Sequence, residues 1–264
     1  MGTVPDSLAA FIERGEMRDL SLAVVNRTRP EPIQRLLEET VGGRTVDVSE
    51  LDVPDASELD VPDASENLVV LLDGDEVVAT SPLGALEEEL LLVNSDLYVT
   101  GGKALGDVTL PAVIEALDEV PFRVRGYPAS NSEKLPLIVI SRYIEQLAWD
   151  HGSGRLRSSF QRLSRLDDER GTRDVYWTVG EADIDVHVYG VPDWVPPASF
   201  PGVVHAGYHG EFRTSWFVVF HADDADARTA ALVAERVGDN EWDALWTFDD
   251  DRIESINRYI ERAL

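Results

Sequence analysis

The sequence predicts a mixed α/β (α+β) fold, with a largely antiparallel central sheet flanked by helices and the whole chain forming one domain. Three observations predict it. Strand-like and helix-like runs alternate from the first residues, an acid-glycine turn at Asp73-Gly74-Asp75-Glu76 separates two short apolar runs, and Trp216 to Phe220 is apolar at every position. A strand apolar on both faces belongs in the middle of a sheet. At 264 residues the chain can bury roughly 75% of the surface its unfolded form exposes, enough for a core without covalent staples. It has no cysteine, which excludes disulfides and thiolate metal sites.

The elements follow in chain order. Ser7 to Arg14 reads as a short helix capped by Ser7 or Asp6 and closed at Gly15, with Leu8, Phe11 and Ile12 on one face. Leu20 to Val25 reads as a buried strand, and Pro32 to Val41 as a helix that stops at Gly42-Gly43. Leu51 to Glu66 is an eight-residue unit, Leu-Asp-Val-Pro-Asp-Ala-Ser-Glu, repeated back to back, and its prolines and acids predict a solvated loop. Leu68 to Leu72 and Val77 to Thr80 then form a hairpin. Helices are expected at Leu83 to Leu92 and Leu110 to Leu117, a short strand or linker at Phe122 to Arg125, and a polar, turn-rich stretch at Tyr127 to Lys134.

The longest helix is Leu135 to His151, whose Leu137, Ile140, Ile144, Leu147 and Ala148 make an apolar stripe ended by Gly152. Another is expected over Asp167 to Val179. Ile184 to Val191 alternates, sending Ile184, Val186 and Val188 to one face and Asp185, His187 and Tyr189 to the other. Ala230 to Val237 fits either a helix or a strand, and its neighbours and the Gly238-Asp239-Asn240 turn favour a strand, with Trp242 to Phe248 another beyond the turn. Asp249 to Asp251 opens a last helix burying Ile253, Ile256, Ile260 and Leu264.

Charge bears on solvent and partners. Asp and Glu number 50 against 23 Lys and Arg, a formal charge of −27, so nucleic acid is not an expected partner. Only two of the basic residues are lysines, Lys103 and Lys134. Self-repulsion of this size disfavours a compact state, and molar salt, with a screening length of ~3 Å, removes most of it. This acid-rich, lysine-poor composition resembles that of cytoplasmic proteins from salt-accumulating archaea. The apolar runs fall short of the ~20 residues that span a bilayer, and no basic region followed by an apolar stretch opens the chain, so a soluble, cytoplasmic protein is expected.

Few residues carry recognisable chemistry. On the long helix the mixed face holds Arg142, Glu145, Gln146, Trp149 and Asp150, with Arg142 at a spacing that allows pairing with Glu145 or Gln146. Gly152-Ser153-Gly154 lacks the Lys-Ser or Lys-Thr of a nucleotide loop and reads as a turn. The cluster Arg155, Arg157, Arg162 and Arg165 could receive an anion, against the simpler reading that it pairs with Asp167, Asp168 and Glu169. His205 and His209 are interrupted by glycine, and no metal site is expected.

Several runs together suggest a family. Ser141-Arg142-Tyr143-Ile144-Glu145 with Ala148-Trp149, Phe160-Gln161-Arg162-Leu163, Val186-His187-Val188-Tyr189-Gly190, Trp216 to Phe220, and Trp246-Thr247-Phe248-Asp249 occur in an order that resembles the DICT sensory domain, in its stand-alone haloarchaeal form. The resemblance covers residues from about 135 onward and rests on order, since no single motif is diagnostic. It implies a sensory module found beside cyclase and two-component signalling domains, proposed to act in light-related responses, with no established catalytic residues. Arg142, Glu145, Trp149, Glu235, Trp246 and Asp249 fit its recurrent pattern.

The expected function is therefore a non-catalytic sensory or regulatory module that binds a small ligand or a signalling protein. The expected binding residues are Arg142, Glu145, Trp149, His187, Tyr189, Glu235, Trp246 and Asp249, with no cofactor. The alternative is a small-molecule enzyme using His187 and Asp185 as acid and base.

Overall fold

The computed structural model describes residues 5–16, 18, 20–25, 46–51, 67–74, 76–86, 105–125, 135–168, 170–224, 226–239 and 241–264. The helix expected at Pro32 to Val41, the duplicated segment beyond Leu51 and the stretch Tyr127 to Lys134 lie outside these residues.

Helix α1 (Leu8–Glu13) forms where the apolar spacing placed it, with the Ser7 hydroxyl accepting from the Ala10 N–H at 3.2 Å. Strands β1 (Leu20–Val25), β2 (Val46–Leu51), β3 (Leu68–Asp73) and β4 (Glu76–Pro82) make a four-stranded sheet in the order β2-β1-β3-β4. The β3–β4 hairpin is antiparallel and turns at Gly74, as its acid-glycine sequence predicts. Strand β2, running parallel to β1, was not expected, and its last residue is Leu51 of the repeat. Residues 83–86 are helical, the described part of the helix expected at Leu83 to Leu92. The helix expected over Leu110 to Leu117 is only a single turn, α2 (Ala112–Glu115), with Pro111 at its N-cap.

The larger sheet is assembled from β5 (Phe122–Arg125), β6 (Ser153–Arg162), β7 (Asp183–Val191), β8 (Val203–Ala206), β9 (Ser215–His221), β10 (Ala230–Gly238) and β11 (Glu241–Thr247). Its order is β5-β11-β10-β9-β6-β7-β8, so β9, the doubly apolar strand, lies in the centre. Pairing is antiparallel except along β6-β7-β8, which is parallel. Helix α3 (Leu135–His151) has the length its apolar stripe predicts, and Gly152 ends it at φ 77°.

Two expectations near α3 need correction. Ser153 and Gly154 do not stay in the turn but open β6. Gly154 has φ 112°, and a Cβ there would stand 2.8 Å from the His221 carbonyl oxygen and 2.9 Å from the Ala222 Cα, so only glycine lets β6 approach β9. The helix expected over Asp167 to Val179 is two, α4 (Arg165–Asp168) and α5 (Arg170–Gly180). The reason is the 3.6-residue period: one unbroken helix would carry Leu166 to the side opposite Val175, whereas both are buried in the same core.

Helix α6 (Gly210–Thr214) precedes β9, and α7 (Asp250–Ala263) closes the described chain, capped by Asp249, which accepts from the Arg252 N–H at 2.8 Å. The large sheet is covered on both faces. One core joins Leu156, Val188, Phe220, Leu232 and Trp246 to α3, α5 and the smaller sheet's Val69 and Leu71. The other joins Phe217, Val219, Val233 and Leu245 to α1, α6 and α7. No helix among the described residues is long and apolar enough to cross a membrane.

Candidate functional site

Strand alternation and parallel register build the principal polar cluster. Ile184, Val186 and Val188 enter the first core, so Asp185, His187 and Tyr189 face the α7 side. The β6–β7 register sets Arg155 beside Asp185 and Arg157 beside His187, and the β7–β8 register sets His205 beside Tyr189. The six side chains of the cluster therefore share one face.

The contacts form a continuous chain. Asp185 Oδ2 lies 3.2 Å from Arg155 Nε and 3.1 Å from His187 Nε2. His187 Nδ1 is 2.8 Å from His205 Nε2, which requires one ring to donate and the other to accept. The two imidazoles stack, and the His205 ring lies 8° from parallel with Tyr189 at a centroid distance of 4.3 Å. Beneath them Arg157 is only 2% exposed, and its guanidinium donates to the Tyr189 hydroxyl, to Asn257 Oδ1 at 2.7 Å and to Glu261 Oε1 at 3.5 Å. Asn257 and Glu261 both belong to α7.

The electrostatics follow this geometry. His187, and then Arg155, hold the Asp185 carboxyl below the usual carboxylate range. Burial lowers the His205 pKa, and His187 and Arg157 push it the same way. Burial raises the Tyr189 phenol, with Arg157 opposing. Asp185 is exposed to solvent, His187 is largely buried beside β8, and Tyr189 is buried in the second core.

The eight sequence-predicted residues do not share one pocket. Arg142, Glu145 and Trp149 lie on α3, on the opposite face of the sheet from His187 and Tyr189. Arg142 and Glu145 are buried and paired at 2.5 Å, Arg142 also donates to Thr172 Oγ1 at 2.7 Å, and Tyr176 donates to Glu145 at 2.8 Å. Burial, and then the Glu145 charge, drive the Tyr176 phenol well up. This network ties α3 to α5. Trp149 is half-exposed and packs against Gly106. Trp246 is fully buried, and its Nε1 has no partner among the described residues. Glu235 faces the α6 side near Glu211 and Thr214, with Oε2 unpartnered among the described residues, and Asp249 caps α7. Alternation along the strands separates these groups.

The arginine cluster also pairs differently from expectation. Arg155 and Arg157 meet the partners given above, Arg162 lies 3.8 Å from Asp193, Arg165 donates to Gln161, and Asp167 pairs with Arg173 at 3.4 Å. Extended β6 carries the first three away from the helix that follows. His209 stands at the N-cap of α6 against Phe212, apart from the His205 stack. No group of three or more His, Cys, Asp or Glu side chains among the described residues could hold a metal ion.

Asn257 and Tyr176 do not figure among the sequence expectations, and Arg157 figures there only as a member of the arginine cluster. A signal exists for Asn257, a polar residue on the apolar face set by Ile253, Ile256 and Ile260. Comparison of the chain with protein-family models, curated proteins and solved structures gives no match.

Proposed function

We propose that the protein is a non-catalytic sensory or regulatory module of prokaryotic signal transduction, binding a small ligand or a signalling partner at the Asp185–His187–His205 edge of the sheet. One observation carries the reading: buried Arg157 connects the Tyr189 ring under the histidines to Asn257 and Glu261 on α7. A ligand that displaces either imidazole must move the ring stacked on it, and the Arg157 bonds pass that displacement to a helix. The order of motifs resembling the DICT domain is the sequence-side support, and the family comparison adds none to it. A role in light-related response within the cytoplasm of a salt-accumulating archaeon belongs to the same proposal.

A second reading is favoured by the 3.1 Å contact between His187 and Asp185, the spacing an acid-base pair needs. Thermal-shift measurements in concentrated KCl with a panel of nucleotides, chromophores and metabolites separate the two. Stabilisation without turnover, lost in His205→Ala, supports the sensor. Turnover abolished in His187→Ala supports the enzyme and ends the first reading.

A further inference from the structure

On the opposite side of the sheet from the histidines, Arg228 lies over two aromatic rings. Its guanidinium carbon is 4.1 Å from the Phe248 centroid and 5.8 Å from the Tyr143 centroid, both within the range of cation–π attraction. The rings are held edge-to-face at 6.3 Å, and Trp246 backs Phe248 edge-on at 4.8 Å. Glu115 completes the enclosure with an ion pair to Arg228 Nη2. The walls come from three separately anchored places: Tyr143 from α3, Glu115 from α2, and Phe248 from the end of β11. The Phe248 N–H is pinned to Asp118 Oδ1 at 2.9 Å. None of the walls depends on the segment that supplies the cation.

That segment joins β9 to β10, and its fixed point is the next residue. Thr229 is buried and bonds Asp250 at the start of α7 at 2.6 Å. The Arg228 side chain, by contrast, is 50% exposed and can leave without unmaking the backbone around it. Two aromatic rings and a carboxylate converging on one planar cation make a receptor for that cation, and here the chain fills it with its own arginine.

We infer that Tyr143, Phe248 and Glu115 form a binding site for a small guanidinium-bearing molecule, and that Arg228 is a tethered competitor for it. A side chain held this close acts at an effective concentration on the order of millimolar. Arg228 fills the site in the structure, so an external ligand competes with it and its apparent affinity falls by the occupied fraction. Removing the tethered cation exposes the intrinsic affinity.

The test is titration of methylguanidinium chloride into wild type and Arg228→Ala, at constant ionic strength in KCl buffer. The readout is the ring resonances of Tyr143 and Phe248. The expected result is saturable shifts in Arg228→Ala at least about tenfold tighter than in wild type, weakened again when Glu115→Gln is added. Equal affinity in wild type and Arg228→Ala would overturn the inference, as would absence of saturable shifts in Arg228→Ala. Undiminished binding after Phe248→Leu in the Arg228→Ala background would do the same. Arg228 is a surface side chain, so its removal leaves the core intact. The histidine edge lies on the other face, so loss of ligand response there leaves this result untouched.

Discussion

The Tyr189 hydroxyl accepts a 2.5 Å hydrogen bond from Arg157 while the same ring lies stacked under His205, so one side chain joins a buried cation to a titratable surface group. Arg157→Met removes the cation but keeps much of its volume, and leaves Tyr189 and Asn257 without their donor. The expected loss is about 3 kcal/mol of unfolding free energy. Denaturant unfolding checks it, with Arg157→Lys falling between, because an ammonium cannot span both partners in the plane of the fork. A loss below about 1 kcal/mol for Met would mean the guanidinium contributes little to the fold.

His205 gives the stability a pH dependence. Its folded pKa is lowered from the usual 6.5 by burial and then by His187 and Arg157, so the unfolded chain takes up the proton first. Stability is complete above 6.5 and declines as pH falls from there to the lower folded pKa. A proton on both rings also abolishes the donor-acceptor match between His187 and His205. Melting curves from pH 8 to 5 should show this decline in wild type and a shallower one in His205→Phe. Parallel slopes would assign the effect to other groups.

Glu235 works in the opposite direction. Burial raises its pKa above the usual 4.5, and nearby Glu211 adds to this while Thr214 opposes it. The folded carboxyl holds its proton longer than the unfolded one, so ionisation costs stability as pH rises through the folded pKa. Glu235→Gln keeps the shape without the charge. Its melting temperature should exceed that of wild type at pH 8, and the difference should vanish near pH 4. A variant less stable at pH 8 would show that the ionised carboxylate is used.

A net charge of −27 should make the protein dependent on electrolyte. The screening length is ~3 Å at 1 M salt and ~30 Å at about 10 mM. Dialysis to the lower value is expected to reduce the melting temperature steeply and to melt the secondary structure seen by circular dichroism. An unchanged melting curve would show that the acids are spaced widely enough to be tolerated.

Much of this fold could be read from periodicity. Trp216 to Phe220 has no polar face and occupies the sheet's centre, and Ile253, Ile256 and Ile260 recur at helical spacing on α7. The Asp73-Gly74 hairpin carried its own turn chemistry. The division into two sheets was not legible, because it depends on which strands pair, and β1 reaches β3 across residues 26–67. Of the site, the Arg142–Glu145 pair and the shared face of His187 and Tyr189 follow from local spacing. That these two groups occupy opposite sides of the sheet does not. In the sequence Arg157 reads only as one of four clustered arginines with acids close by, since its burial comes from α7, a hundred residues further along the chain.

The register of the larger sheet also bears on how the polypeptide is made. Arg125 of β5 pairs with Glu241 of β11, so a strand synthesised near the middle of the chain waits for a neighbour that emerges more than a hundred residues later. Until then its hydrogen-bonding edge is open to strangers, and the nascent chain is exposed to aggregation while the second half of the sequence is being made.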